Sequence, residues 1–349
     1  MDIIQLNCQT NKRKYSRNVP TDIVRWGKDN LFPDEILYLY WNSPTQQGIL
    51  NRKMKLTSGQ SYSFSNPDAE FFAKDIDFAN LFSRSILDFY LYNAFSLQII
   101  ERTFRNEIAD IQYQDTSLVR LNTNKTKLSL SSNWSNSKSE ILTVDKFDLQ
   151  NDEINAGFLF YTAEMPGLAN YPNPSWFSGI KSIETEIALI ENAYQFINNA
   201  FMPSGILKLP SKLSPEEMAL LREKIKSELT GAENTGKIMT VQSDENKTVE
   251  WIPLAQPIES AGVQGYLDMT RMNIIIANSL TSPTILGLPA PAGLGDSGGN
   301  LAVGLESYFM LELLPVQNKI KAVFEQLFKK AGVPTEIVIE NNLQIETKI

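Results

Sequence analysis

The sequence predicts an α+β chain of elongated, modular build: two helical rods flank a small α/β module, and a long, proline-interrupted helix follows. Three observations carry this. Ile180, Ile183, Ile187, Ile190, Tyr194, Ile197 and Phe201 recur at intervals of 3, 4, 3, 4, 3 and 4, a heptad-like seam narrower than the stripe of an ordinary core helix. Between this rod and a second one, Ile258 to Leu280, lies a pattern of strand, helix and two strands. Residues 300–330 then read as one helix with Pro315 in its interior, where a residue without an N–H must kink or split it.

Composition narrows the function classes. The 349 residues are 42% apolar and 21% charged, as in folded chains of two or three modest domains or one modular subunit. A formal charge of −8 argues against tight, general binding to nucleic acid, which needs excess Lys and Arg, though not against DNA as a partner. A single cysteine, Cys8, builds no intrachain disulfide and no multi-cysteine zinc site. The chain has no histidine, so the usual general base and the commonest metal ligand are missing. Residues 1–20 are polar and basic, without the apolar centre of a signal peptide, and no apolar run approaches the roughly 20 residues a membrane span requires. A soluble, intracellular protein without metal, cofactor or membrane partner is the expectation.

Along the chain, Pro33 sits in the first turn of a helix from Asp34 to Trp41, which Asn42-Ser43-Pro44 ends. A second helix follows over 45–60 and closes at Gly59. A third apolar segment, Phe78 to Phe95, has Leu81, Ile86, Phe89 and Tyr90 at helical spacing. From Ser96 to about Asp145 short β-like runs predict an antiparallel sheet. The first rod, Gly179 to Met202, is about 36 Å long at 1.5 Å per residue, with Glu184 and Glu191 on one polar face. In the module, Ser214, Pro215 and Glu217 sign a helix start, and Met218, Leu221, Ile225 and Leu229 give its apolar stripe. PTEIVIE, 334–340, reads as a last strand.

Three motifs suggest enzymes and fail on chemistry. GDSGG, Gly295 to Gly299, matches the nucleophile loop of a serine protease, but a triad through Ser297 has no histidine to take its proton. Gly293, Gly295 and Gly298 spell G-x-G-x-x-G, yet SPTILGLPAPA before them carries three prolines where a strand is needed. GAENTGKI, Gly231 to Ile238, has P-loop spacing, but Ile238 stands where a Mg²⁺-binding hydroxyl belongs. No catalytic residue is assigned. A carboxylate-only enzyme remains open only because acidic pairs are inevitable among 40 Asp and Glu.

The order rod, small module, rod, loop, long kinked helix resembles the portal proteins of tailed bacteriophages. The residues that carry the likeness are NPSWFSGIKSIETEIALIENAYQFINNAFMPSGILKLP, AENTGKIMTV with VEWIPL, IIIANSLTSPTILGL, and WGKDNLFPDEIL with NRKMKLTSG near the start. The resemblance implies an elongated fold with an α/β wing (1–177 and the long helix 301–330), stem helices at 178–203 and 257–279, a clip at 204–256 and a tunnel loop at 280–300. Residues 331–349 leave a short tail, too little for a sizeable crown.

What the resemblance implies about function is a closed ring, usually of twelve subunits, at one capsid vertex. Double-stranded DNA slides through it weakly held. The partners implied are the major capsid protein and scaffold, the terminase large subunit and a head-tail adaptor, in a virion assembled in the host cytoplasm. The tunnel loop places Thr284, Leu286, Leu288, Pro289, Pro291, Leu294, Asp296 and Ser297 at the channel. Ile183, Ile187, Ile190, Tyr194 and Ile197, with Glu184 and Glu191, become the stem seam between subunits. Glu216, Arg222, Lys226 and Trp251 become clip residues that meet partners. Glu184, Glu186 and Glu191 suit a mostly repulsive channel wall, since each neutralised phosphate adds affinity that opposes sliding. Thr281 to Gly299 holds no Lys or Arg and one charge, Asp296. An adaptor ring that does not translocate DNA is the alternative; it shares the helices but needs no loop into a channel.

Overall fold

The computed structural model describes residues 22–102, 106–136, 138–151, 154–199, 205–208, 216, 250–253, 260–280, 283–286 and 298–341. They are mixed α and β and fall into two compact units, Met1–Ile180 with Ile274–Ile349, and Lys181–Asn273.

The first unit opens with α1 (Phe32–Asn42) and α2 (Pro44–Ser58), both started by a proline in the first turn. Proline is tolerated there because that N–H has no helical partner to lose. The Ser43 side chain accepts a hydrogen bond from the Gln46 backbone N–H at 3.1 Å, capping α2. Gly59 ends α2 with φ +76°, where a Cβ would also strike Ile339. Next come β1 (Ser61–Phe64), α3 (Pro67–Asp75) and α4 (Phe78–Tyr92). Buried side chains lie on nearly every side of α4, as befits a helix surrounded by other elements.

At Asn93 the chain turns with φ +51° into β2 (Ala94–Arg102). β2 is central, antiparallel to β3 (Glu107–Gln114) on one side and to β7 (Gly157–Thr162) on the other. β4 (Val119–Leu121), β5 (Lys127–Leu130) and β6 (Leu142–Asp145) form a separate meander. α4 covers the first sheet, and rings from distant segments fill the space beyond it. Phe64 stacks on Phe328 at 5.6 Å, while Phe78 meets Phe324 edge-on at 5.3 Å. Trp176, fully buried, donates its indole N–H to the Tyr90 carbonyl at 2.8 Å. β10 (Ile337–Glu340) pairs antiparallel with β1.

α5 (Ile180–Asn199) and α6 (Ser260–Ala277) are the two rods. Between them in sequence, β8 (Gly205–Lys208) pairs antiparallel with β9 (Glu250–Pro253), and Glu216 has helical backbone. The near P-loop and the predicted capping box, Glu216 apart, lie outside the described residues, as does Cys8.

The long helix departs from a simple kink. α7 (Gly298–Tyr308) passes through a π turn, Phe309–Leu313, into α8 (Leu314–Lys330). Leu314 N–H donates to the Phe309 carbonyl, five residues back. Pro315 follows at once, and a widened turn gives its ring room beside a carbonyl that an α-turn would press against it. The sequence reading also passed over β1, α3 and β7.

Candidate functional site

α5 and α6 carry the surface with most to explain. On α5, Ile183 is fully buried and Ile187 half-buried, whereas Ile190 and Tyr194 are 39% and 59% exposed. Along the predicted seam, exposure thus rises from Ile183 to Ile190 and Tyr194. On α6, Tyr266, Met269 and Ile276, at i, i+3 and i+10, form a stripe at least 55% exposed. Scattered apolar side chains on a surface are ordinary, whereas here large ones line up along two helices.

Glu184 and Glu191 are exposed on α5. Glu186 is not: it is buried and its carboxylate lies 3.7 Å from the Arg271 guanidinium of α6. The expected repulsive wall thus loses Glu186, because position 186 follows Ile183 by three and shares its inward face. α5 and α6 also meet near Gly179, where a Cβ would sit 2.7 Å from that of Ala277.

Beyond α6, Ser279 turns with φ +60° and a 3₁₀ turn follows at Pro283–Leu286. Thr284 is half-buried there and Ile285 buried, packed against Gly304 of α7. Asn278 anchors this corner: its side-chain amide donates to Gln46 Oε1 at 2.8 Å, and its carbonyl accepts from Tyr308 Oη at 3.2 Å. Gln317 of α8 donates to the Thr57 carbonyl at 2.8 Å. Sequence reading missed these amides, because a polar residue on a helix reads as a solvent position until its partner is known. Close by, burial lowers the Lys53 ammonium to about 8, opposed by the Glu312 carboxylate, and Lys53 Nζ lies 4.7 Å from the Tyr90 ring centre.

Of the remaining predicted site residues, Leu288, Pro289, Pro291, Leu294, Asp296, Ser297, Arg222 and Lys226 lie outside the described residues. Ile197, Trp251 and Leu286 are placed by their backbone, in α5, β9 and the 3₁₀ turn. Glu216 is exposed. Among the described residues no helix is long and apolar enough to cross a membrane.

No family model and no curated protein matches the sequence. Solved structures do match in shape. A chain of the virion of a native gene transfer agent particle superposes with a TM-score of 0.58 at 14% identity, covering 94% of this chain and 88% of that one. A chain from the neck of a native particle of that kind, computed with C12 symmetry, gives 0.55 at 14%, covering 93% and 87%. An HK97-family phage portal protein from Corynebacterium diphtheriae gives 0.50 at 9%, covering 89% and 96%. The chain has the mixed α and β fold of the phage portal proteins.

Proposed function

We propose that this protein is a portal subunit of a tailed phage or a related particle, assembling as a ring of about twelve copies at a unique capsid vertex. The observation that carries the reading is the pair of bare apolar stripes on α5 and α6 in a chain with the portal fold. Helices with such stripes gain their burial from neighbours, and a heterologous contact that closes on itself gives a ring. The C12 symmetry of the matched particle neck supports the subunit number. In this reading residues 1–177 and 301–330 are the wing, 178–203 and 257–279 the stem, 204–256 the clip and 280–300 the tunnel loop.

The role is structural, with no catalytic residue. Double-stranded DNA passes through the ring in packaging and ejection. An acidic subunit with a loop poor in cations touches the duplex without holding it, because few phosphates are neutralised. The clip, with Glu216, Arg222, Lys226 and Trp251, faces the terminase and the head-tail adaptor, and the wing faces capsid protein and scaffold. Native mass spectrometry with negative-stain images of the purified protein tests the reading. Closed rings of about twelve with a central hole are the expected result; a monodisperse monomer at every concentration tried counts against it.

A further inference from the structure

On α4 the acid Asp88 is buried. Its two carboxyl oxygens accept from Tyr113 Oη of β3 at 3.1 and 3.0 Å, and one of them also accepts from Thr116 Oγ1 at 2.6 Å. No Lys or Arg among the described residues pairs with it. The charge that acts on it is a second acid, Asp115, just ahead of Thr116, and Tyr92 of α4 is a further titratable group in its surroundings. A carboxylate held away from water beside another acid is costly, and burial raises Asp88 to about 7.

The cation that would relieve it stands close by, engaged elsewhere. Arg84 precedes Asp88 by one turn of α4, the i, i+4 spacing at which helix side chains meet. Its guanidinium lies 3.5 Å from the centre of the Tyr113 ring, on the very side chain whose hydroxyl holds Asp88. Arg84 is exposed and Tyr113 half-buried. β3 is an edge strand of its sheet and Tyr113 is its next-to-last residue. The ring can therefore turn outward without displacing a neighbouring strand.

We infer that Asp88, Tyr113 and Arg84 form a proton-operated switch. While Asp88 holds its proton, Tyr113 covers it and Arg84 rests on the ring, as in the structure. When that proton leaves for water, the bare carboxylate draws Arg84 into an i, i+4 ion pair and the Tyr113 ring turns out to make way. The exchange replaces a cation–π contact and a hydroxyl hydrogen bond with a charge-assisted pair, stronger because both partners are ionised. The switch belongs to the first unit alone and works whether or not the chain forms rings.

Hydroxyl-radical footprinting of the full chain at about pH 5.5 and 8.5, on either side of the Asp88 titration, tests it by mass spectrometry. Labelling of Tyr113, taken relative to Tyr171, is expected to rise several-fold at the higher pH. Asp88→Asn, with no proton to lose, and Arg84→Gln, at an exposed position, are each expected to hold it at the low-pH value. Arg84→Lys is expected to keep the rise. Tyr113 labelling that ignores pH, that climbs as far in Arg84→Gln, or that climbs only together with Tyr171 overturns the inference.

Discussion

Arg120 is fully buried, its guanidinium spent on neutral oxygens: the Asn30 side chain at 2.7 Å and the carbonyls of Asn30, Ser117 and Val119 at 2.6–2.8 Å. Burial lowers it to about 10, still charged at neutral pH. Arg120→Met leaves those acceptors dry and should cost about 3 kcal/mol or more in urea unfolding. Arg120→Lys should recover little, since one ammonium cannot reach in several directions as the planar fork does. Asp88 is the acidic counterpart. It accepts from Thr116 Oγ1 at 2.6 Å and from Tyr113 Oη at 3.0 Å, and burial raises it to about 7 despite the Thr116 hydrogen bond. Its folded value stands above the unfolded one, so the native state holds the extra proton between about pH 4 and 7. The stability this provides is complete below that window and is lost as pH rises through it. Asp88→Asn should flatten that slope and raise the melting temperature at pH 8 by several degrees, as about 1 kcal/mol moves a domain by roughly 2–4 °C. Neither residue was legible as a core position in the sequence, where a lone charge inside an apolar helix or a short strand reads as solvent-facing.

At the scale of elements, the proposed ring makes α5 a place where folding and assembly can be told apart. Ile183 is buried within the single chain, so Ile183→Asp should unfold it. Ile187 and Ile190 are partly bare, so Ile187→Asp and Ile190→Asp should leave a folded subunit that fails to form rings; calorimetry and native mass spectrometry read the two effects apart. Normal rings from both variants would refute the seam. Gly179→Val should cost about 1–3 kcal/mol, since any Cβ there meets Ala277. The first rod was legible because its apolar residues from Ile180 to Ile197 keep one period. β7, GFLFYT, was not: a short apolar run covered on both faces has no alternation to read. α3 escaped because nine residues with four charges show little stripe.

For the whole molecule, deleting Pro289–Gly298 should leave ring assembly intact and abolish DNA packaging or retention, measured by genome content of the particles. Normal packaging in the deletion sinks the tunnel-loop role. The two rods and the long helix after them were readable along the chain, whereas the first unit's return was not. Nothing in SYSF or IVIE announces that they are partners.

That pairing sets a timetable. Ser61 of β1 and Glu340 of β10 are 279 residues apart, and at roughly 5–20 residues per second a ribosome needs about 15–55 s to make the chain between them. Throughout that interval β1 is an open edge and the ring cluster around Phe64 lacks Phe324 and Phe328. The nascent first unit is therefore a species that chaperones can grip and neighbours on a polysome can mispair with, while Lys181–Asn273 emerges whole and ahead of it. Slowing translation should lower soluble yield more than slowing refolding of the finished chain does, because only the ribosome leaves that edge waiting.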